Sequence, residues 1–321
     1  MIKAILLFII GLGCLIKGGD WFVDGASGLA RKFNLPELLI GATVVSIGTT
    51  LPEVMVSTMS ALSGHGEIAY GNAIGSVICN TALIAAITIA VKPGPVDRPS
   101  LRVPVLFFYI AAAIYWVAAY LMGKFTRPMG IIMLGVFVAY MIFNVRAMRG
   151  AQTSASEEEH SEEDLPISKI LFLLIVGAVL IAIGANLLVD NGTLIAQGLG
   201  VPESVIALTF VALGTSLPEL VTAITSLAKG HGSLSLGNII GANVFNLVLV
   251  SGVSVTLAPF AVPQSAKIWG INASLIFEIP VMLLVMSILS LYALWKGKLS
   301  GIQGFILLAI YVVFCAVQFT L

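Results

Sequence analysis

The sequence predicts an all-α membrane protein, with ten transmembrane helices arranged as two inverted five-helix repeats. Three observations predict it. Hydrophobic residues make up 59% of the 321-residue chain and charged residues only 10%, where a soluble domain carries roughly 25% charged residues. Apolar runs of bilayer-spanning length, about 20 residues, recur from end to end. Finally, segment 36–80 lies without a gap on 202–246, an offset of 166 with 19 identities in 45 positions, and Asp24 falls on Asp190 at the same offset.

The spans run roughly over 4–28, 36–62, 68–90, 102–122, 128–148, 167–195, 202–228, 234–257, 267–294 and 301–320. Polar stretches such as RKFNLP, SGHGE, KPGPVDRPS and GKFTRP separate them. The Ser- and Glu-rich stretch AQTSASEEEHSEEDLP is the one linker-like segment and reads as a solvated loop. It divides the chain into a first repeat over 1–149, an acidic loop over 150–166 and a second repeat over 167–321. The opening segment has the Lys3-then-apolar look of a signal peptide. It lacks a small-x-small cleavage site, and a matching segment recurs mid-chain, so it is read as a mature helix. Cys14, Cys79 and Cys315 stand far apart inside apolar runs and read as core residues.

Net charge is zero, with 16 basic and 16 acidic residues, which gives no reason to expect a nucleic-acid partner, and no protein partner is implied. The placement of charge says more. Eleven Lys and Arg fall in the odd-numbered loops, and only Lys3, Lys124, Arg127 and Lys267 fall in the N-terminal tail and even loops. The odd loops are therefore expected in the cytoplasm, with both termini outside. A five-helix unit is odd, so its second copy enters the bilayer from the opposite side, an arrangement common among secondary transporters.

The repeat also marks the site. GTTLPE (48–53) and GTSLPE (214–219) each fall mid-span. A carboxylate at that depth is costly unless it is paired or faces water, so Glu53 and Glu219 are functional candidates. Thr49 precedes Glu53, and Thr215 precedes Glu219, by four residues, one helical face. Pro52 and Pro218 cannot donate to the carbonyls of Gly48 and Gly214, so broken helices and freed carbonyls are expected there. Carboxylates, hydroxyls and carbonyls make the all-oxygen, flexible cage that calcium prefers. The absence of His and Cys from these motifs argues against zinc or copper. The next helix of each half carries GNAIGSVICN (71–80) and GNIIGANVFN (237–246). Asn72, Ser76 and Asn80 share one face, as do Asn238 and Asn246, and their oxygens can complete the shell. Gly71, Gly75, Gly237 and Gly241 equally suit close helix packing.

Other polar residues read as structural. His65 and His231 stand beside Gly in turns. Lys17, Asp20 and Asp24 suggest a local ion pair. No nucleophile–base pair or metal triad suggests an enzyme, and no cofactor is implied.

With these motifs in view, the chain resembles the cation/calcium exchanger superfamily, and within it prokaryotic sodium/calcium antiporters, over its whole length. The resemblance implies a multi-pass protein of the prokaryotic cytoplasmic (inner) membrane. Helices 2, 3, 7 and 8 would surround the ions, and the long helices 1 and 6 would slide across that core. It implies ion ligands at Glu53, Glu219, Thr49, Thr215, Thr50, Ser216, Ser76 and Asn80. The chain departs from some members at Ala242 and Asn246, where they carry Ser and Asp.

The expected activity is alternating-access exchange of calcium for sodium. One calcium or two monovalent ions neutralise the Glu pair, so occupancy is mutually exclusive. Protons compete for the same carboxylates, so transport should fall at low pH. A proton/calcium antiporter is the nearest alternative, and a cation channel is a more distant one.

Overall fold

The computed structural model describes residues 2–152, 165–198, 216–264 and 267–318. Helices account for almost all of them: α1 (Ile2–Lys32), α2 (Glu37–Leu62), α3 (Gly66–Val91), α4 (Arg98–Met122), α5 (Arg127–Gln152), α6 (Ile167–Gly198), α7 (Leu217–Ala228), α8 (Gly232–Leu257), α9 (Ser274–Lys296) and α10 (Gly301–Gln318). All but α7 contain apolar runs long enough to cross a bilayer, and α7 is the described part of the seventh span. Most of the predicted acidic loop, and the start of the seventh span, lie outside the described residues.

Helix ends follow local chemistry. α1 stops at Arg31 and Lys32, cations that suit the negative end of a helix, and Asn34 turns the chain with φ 49°. α2 and α7 end alike. Gly64 has φ 83° and Gly230 φ 88°, a left-handed backbone that glycine adopts without strain. The next N–H reaches back five residues in each case, His65 to Ser60 and His231 to Ser226, both at 2.8 Å. These are the same helix-ending turn, 166 residues apart, so the repeat is written in the backbone as well as the sequence.

Burial sorts the helices. The apolar window of α8 is 83% buried and that of α3 72%, whereas α10 is 17% buried and α1, α5 and α6 are 28%. The inner helices therefore carry the polar motifs, and the outer ones turn Leu, Ile and Phe to lipid. α2 and α8 meet backbone to backbone: a Cβ added at Gly237 would stand 2.0 Å from the Leu38 carbonyl oxygen, and one at Gly41 2.3 Å from that of Leu234. α1 and α6 form a second glycine seam. Cβ atoms at Gly18 and Gly25 would meet the α6 backbone at 2.8–2.9 Å, and those at Gly177 and Gly184 the α1 backbone at 2.6–2.7 Å. Small residues let helices approach this closely in lipid.

Short strands tie the connections. β1 (Lys124–Phe125) pairs antiparallel with β2 (Phe260–Ala261), joining the α4–α5 and α8–α9 links. β3 (Lys267–Ile268) and β4 (Ile271–Asn272) form a hairpin around Trp269 and Gly270, both at positive φ. This hairpin corrects the ninth span, expected from 267: the helix starts at Ser274, because the Trp269–Gly270 turn spends those residues on a reversal.

A second correction concerns Pro52. The helix does not break there but runs on from Ser46 to Leu62. The irregularity lies elsewhere, in wide π turns at Gly41–Val45 of α2, Asn80–Ala85 of α3 and Asn246–Val250 of α8, and also at Val117–Met122 of α4 and Ser274–Glu278 of α9. π turns occur mostly as single insertions in α-helices, frequently at functional sites. Two of these begin on the repeat-related asparagines.

Candidate cation site

The four inner helices bring most of the expected residues together. α2 supplies Thr49, Thr50 and Glu53, α3 supplies Ser76 and Asn80, and α8 supplies Asn246. From α7 come Glu219, in its first turn, and Ser216, the residue just before it. Thr50, Glu53, Asn80, Glu219 and Asn246 are all 0% exposed. Thr49, Ser76 and Ser216 are nearly as buried. Thr215 lies outside the described residues.

Hydrogen bonds cross between the halves. The Thr50 hydroxyl donates to Glu219 Oε1 at 3.4 Å. Thr49 donates to Asn238 Oδ1 at 3.2 Å, and Ser46 donates to the Asn238 carbonyl at 3.0 Å. The Thr50–Glu219 bond brings the helix that carries Glu53 against the helix that carries Glu219. The Asn72 amide donates to the Glu53 carbonyl at 3.3 Å and to Ser57 Oγ at 2.7 Å. Asn72 and Asn238, expected as possible shell oxygens, thus brace helix against helix. Asn243, which the motif reading passed over, donates to Thr81 Oγ1 at 2.7 Å and ties α8 to α3.

The remaining polar atoms define the chemistry. Both carboxylate oxygens of Glu53, Oε2 of Glu219, both amide atoms of Asn80 and of Asn246, and Oγ of Ser216 are buried without a hydrogen-bond partner among the described residues. An unpartnered buried polar group costs about 1–3 kcal/mol, more if charged, and buried polar groups are otherwise nearly always satisfied. These atoms sit on or beside the four inner helices that carry the two carboxylates, and their oxygens are candidates for a cation shell. A small cleft lined by Phe22, Gly48, Thr49, Pro52, Ala178, Ile181, Ala182 and Pro218 lies between α1, α2, α6 and α7. The Phe22 ring packs over Gly48, where a Cβ would stand 2.7 Å from it.

Two structural readings are extended outside the candidate site. Lys17 stands 3.8 Å from Asp20, the expected local ion pair of α1. Asp24 also pairs with Lys229 of the α7–α8 link at 2.7 Å, and Asp20 joins it at 3.2 Å. The group thus also ties α1 to the end of α7. His231 is more than a turn residue, since its Nδ1 lies 2.6 Å from Glu37 Oε1. The Lys229 pairs are partly exposed, 27% against 41–48%, and such pairs contribute at most about 1 kcal/mol. Lys229→Ala is therefore expected to lower the melting temperature in detergent by no more than a few degrees. A drop of ten degrees would show that this link carries far more of the fold.

Two buried carboxylates held by the inner helices of a duplicated membrane bundle are the arrangement of a secondary cation transporter. The sodium/calcium exchanger protein family matches residues 3–146 and 169–320. An uncharacterized membrane protein of Methanocaldococcus jannaschii is 33% identical over 98% of this chain and 97% of its own. The sodium/calcium exchanger MaX1 of Methanosarcina acetivorans is 29% identical over 98% of each. Solved structures of the sodium-calcium exchanger NCX_Mj match with a TM-score of 0.82 at 31% identity, covering 98% of both chains. The chain belongs to the sodium/calcium exchanger family and is a multi-pass membrane antiporter of sodium and calcium.

Proposed function

We propose that Glu53 and Glu219 jointly hold one calcium ion near the middle of the bilayer and exchange it for sodium at the same ligands. The observation that carries this reading is the set of unpartnered buried oxygens on four helices. Glu53 and Glu219 supply the charge. Thr49, Thr50, Thr215, Ser216, Ser76, Asn80 and Asn246 supply neutral oxygens, enough for the six to eight that calcium takes. Thr50 has a second role, orienting the Glu219 carboxylate through its hydroxyl.

Exchange follows from electrostatics. A doubly negative cage cannot cross a low-dielectric barrier without cations. Calcium and sodium use the same oxygens, so each leaves as the other enters. The hydroxyl-rich surroundings favour sodium over protons as the counter-ion. The first repeat over 1–149 and the second over 167–321 each contribute one carboxylate, and the odd loops face the cytoplasm of a prokaryotic inner membrane, with both termini outside.

Calcium-45 uptake into proteoliposomes loaded with sodium, against equal potassium at fixed pH, tests the reading. Uptake is expected only with internal sodium. Uptake indifferent to sodium but driven by an imposed pH gradient would replace sodium with protons as the counter-ion. Thr50→Val should weaken calcium uptake by roughly tenfold, the value of about one hydrogen bond to a charged group, without changing the sodium requirement.

A further inference from the structure

We propose that Lys229, Asp20 and Asp24 form an ion-pair latch made only while the cytoplasmic entrance is shut, so that the exchanger rests with its outer entrance favoured. The inference rests on the exchange and the orientation proposed above, and adds a bias between the two access states.

The first ground is unequal packing of positions that the repeat makes equivalent. α1 is seated on α7: a Cβ added at Gly19 would stand 2.6 Å from Val221 Cγ1 and 3.0 Å from Thr225 Oγ1. Val221, Thr225 and Lys229 follow one another at four-residue spacing, one helical face. The matching residues of the first half are Met55, Met59 and Ser63. Met55 is 65% and Met59 60% exposed, and Ser63 is exposed too, so α6 is not seated on α2 as α1 is on α7. The glycine seam joins α1 to α6 backbone to backbone, so a tilt that lifts one from its neighbour brings the other down. In an inverted repeat, the second access state is the first with the halves exchanged. There α6 covers Met55 and Met59, and α1 leaves Val221 and Thr225.

The second ground is charge. Lys229 Nζ lies 2.7 Å from Asp24 and 3.2 Å from Asp20, and it donates to the Asp20 carbonyl at 3.0 Å. Phe22, which packs over Gly48 at the cleft, stands between the two acids on α1. In the exchanged state the matching positions are Asn186, Asp190 and Ser63, which include no cation. Asn186 and Asp190 are exposed. The latch therefore stabilises one state and has no counterpart in the other. A contact made in one state alone shifts the populations by its own free energy, which for partly exposed pairs is up to about fivefold.

Membrane vesicles of known sidedness test this. Everted vesicles present the cytoplasmic face to the medium, and right-side-out vesicles the outer face. Half-saturating calcium for sodium-driven calcium-45 uptake is measured in each. Apparent affinity scales with the population of the competent state. Lys229→Met is therefore expected to lower the cytoplasmic-to-outer ratio of the two values by up to about fivefold. Lys229→Arg keeps the charge and should keep the parent's ratio. Ser63→Lys supplies the missing cation for Asp190 and should also lower the ratio, with the latch itself untouched. If Lys229→Met does not reach the membrane, Asp24→Asn takes its place. An unchanged ratio in Lys229→Met or in Ser63→Lys overturns the latch. A ratio that rises in Lys229→Met overturns its cytoplasmic placement. Absence of sodium-driven uptake from both kinds of parent vesicle overturns the exchange reading itself, before any variant is compared.

Discussion

Glu53→Gln and Glu219→Gln are each expected to abolish calcium exchange while leaving the protein folded. Glutamine keeps the shape of the side chain, so the 0% exposed positions stay filled. What changes is charge. Calcium in a singly negative cage keeps one positive charge in a dry site. Losing one carboxylate charge at about 4 Å from a divalent ion removes roughly 8 kcal/mol of attraction at an effective dielectric of 20, which is several orders of magnitude in affinity. A neutral amide is also cheaper to bury than a carboxylate, so removing one charge should leave the calcium-free protein as stable as before, or more so. The check is thermal unfolding in detergent with and without calcium. The parent should be stabilised by calcium through mass action, and both variants should lose that response. A variant that unfolds at the parent's temperature and still responds to calcium would remove its residue from the cage.

Gly237→Val should do comparable damage by another route. The Cβ would meet the Leu38 carbonyl oxygen at 2.0 Å, and backbone cannot rotate aside as a side chain can. α2 and α8 must move apart. Overpacking of this kind typically costs about 1–3 kcal/mol and occasionally more. The separation also pulls Thr49 from Asn238, which sits beside Gly237 in the sequence. Lower thermal stability and lost uptake should therefore appear together. Gly135→Ala is the control, since nothing lies within 4 Å of its added Cβ and Ala is the better helix former. Its melting temperature should match or exceed the parent's. If Gly237→Val is equally benign, the two helices do not meet as closely as described.

The site was legible where chemistry and depth disagree. A Glu in the middle of an apolar run has few bland explanations, so Glu53 and Glu219 stood out, and duplication doubled the signal for Asn80 and Asn246. What could not be read was anything that depends on which helix faces which. Thr50 and Glu219 are 169 residues apart, and Lys229 is 205 from Asp24. Nothing local links them, so the sequence showed the Lys17–Asp20 pair within α1 but not its extension to Lys229. Asn72 and Asn238 have the side chains of ligands, yet their neighbours make them braces. The π turns were also hidden, since one extra residue per turn barely disturbs an apolar run. Pro52 misled in the opposite direction. Its missing N–H suggested a break, but a single lost bond is tolerated in a helix packed on several sides.

Duplicated sequences are often taken as a source of robustness, one copy covering for the other. The hydrogen bonds from Thr50 to Glu219 and from Thr49 to Asn238 have the opposite consequence. Each copy completes its neighbour's half of the cage instead of building one of its own. Damage to either copy therefore cannot be masked by the other, and the two copies have to evolve as partners under separate constraints. Ser76 against Ala242 shows that divergence already under way.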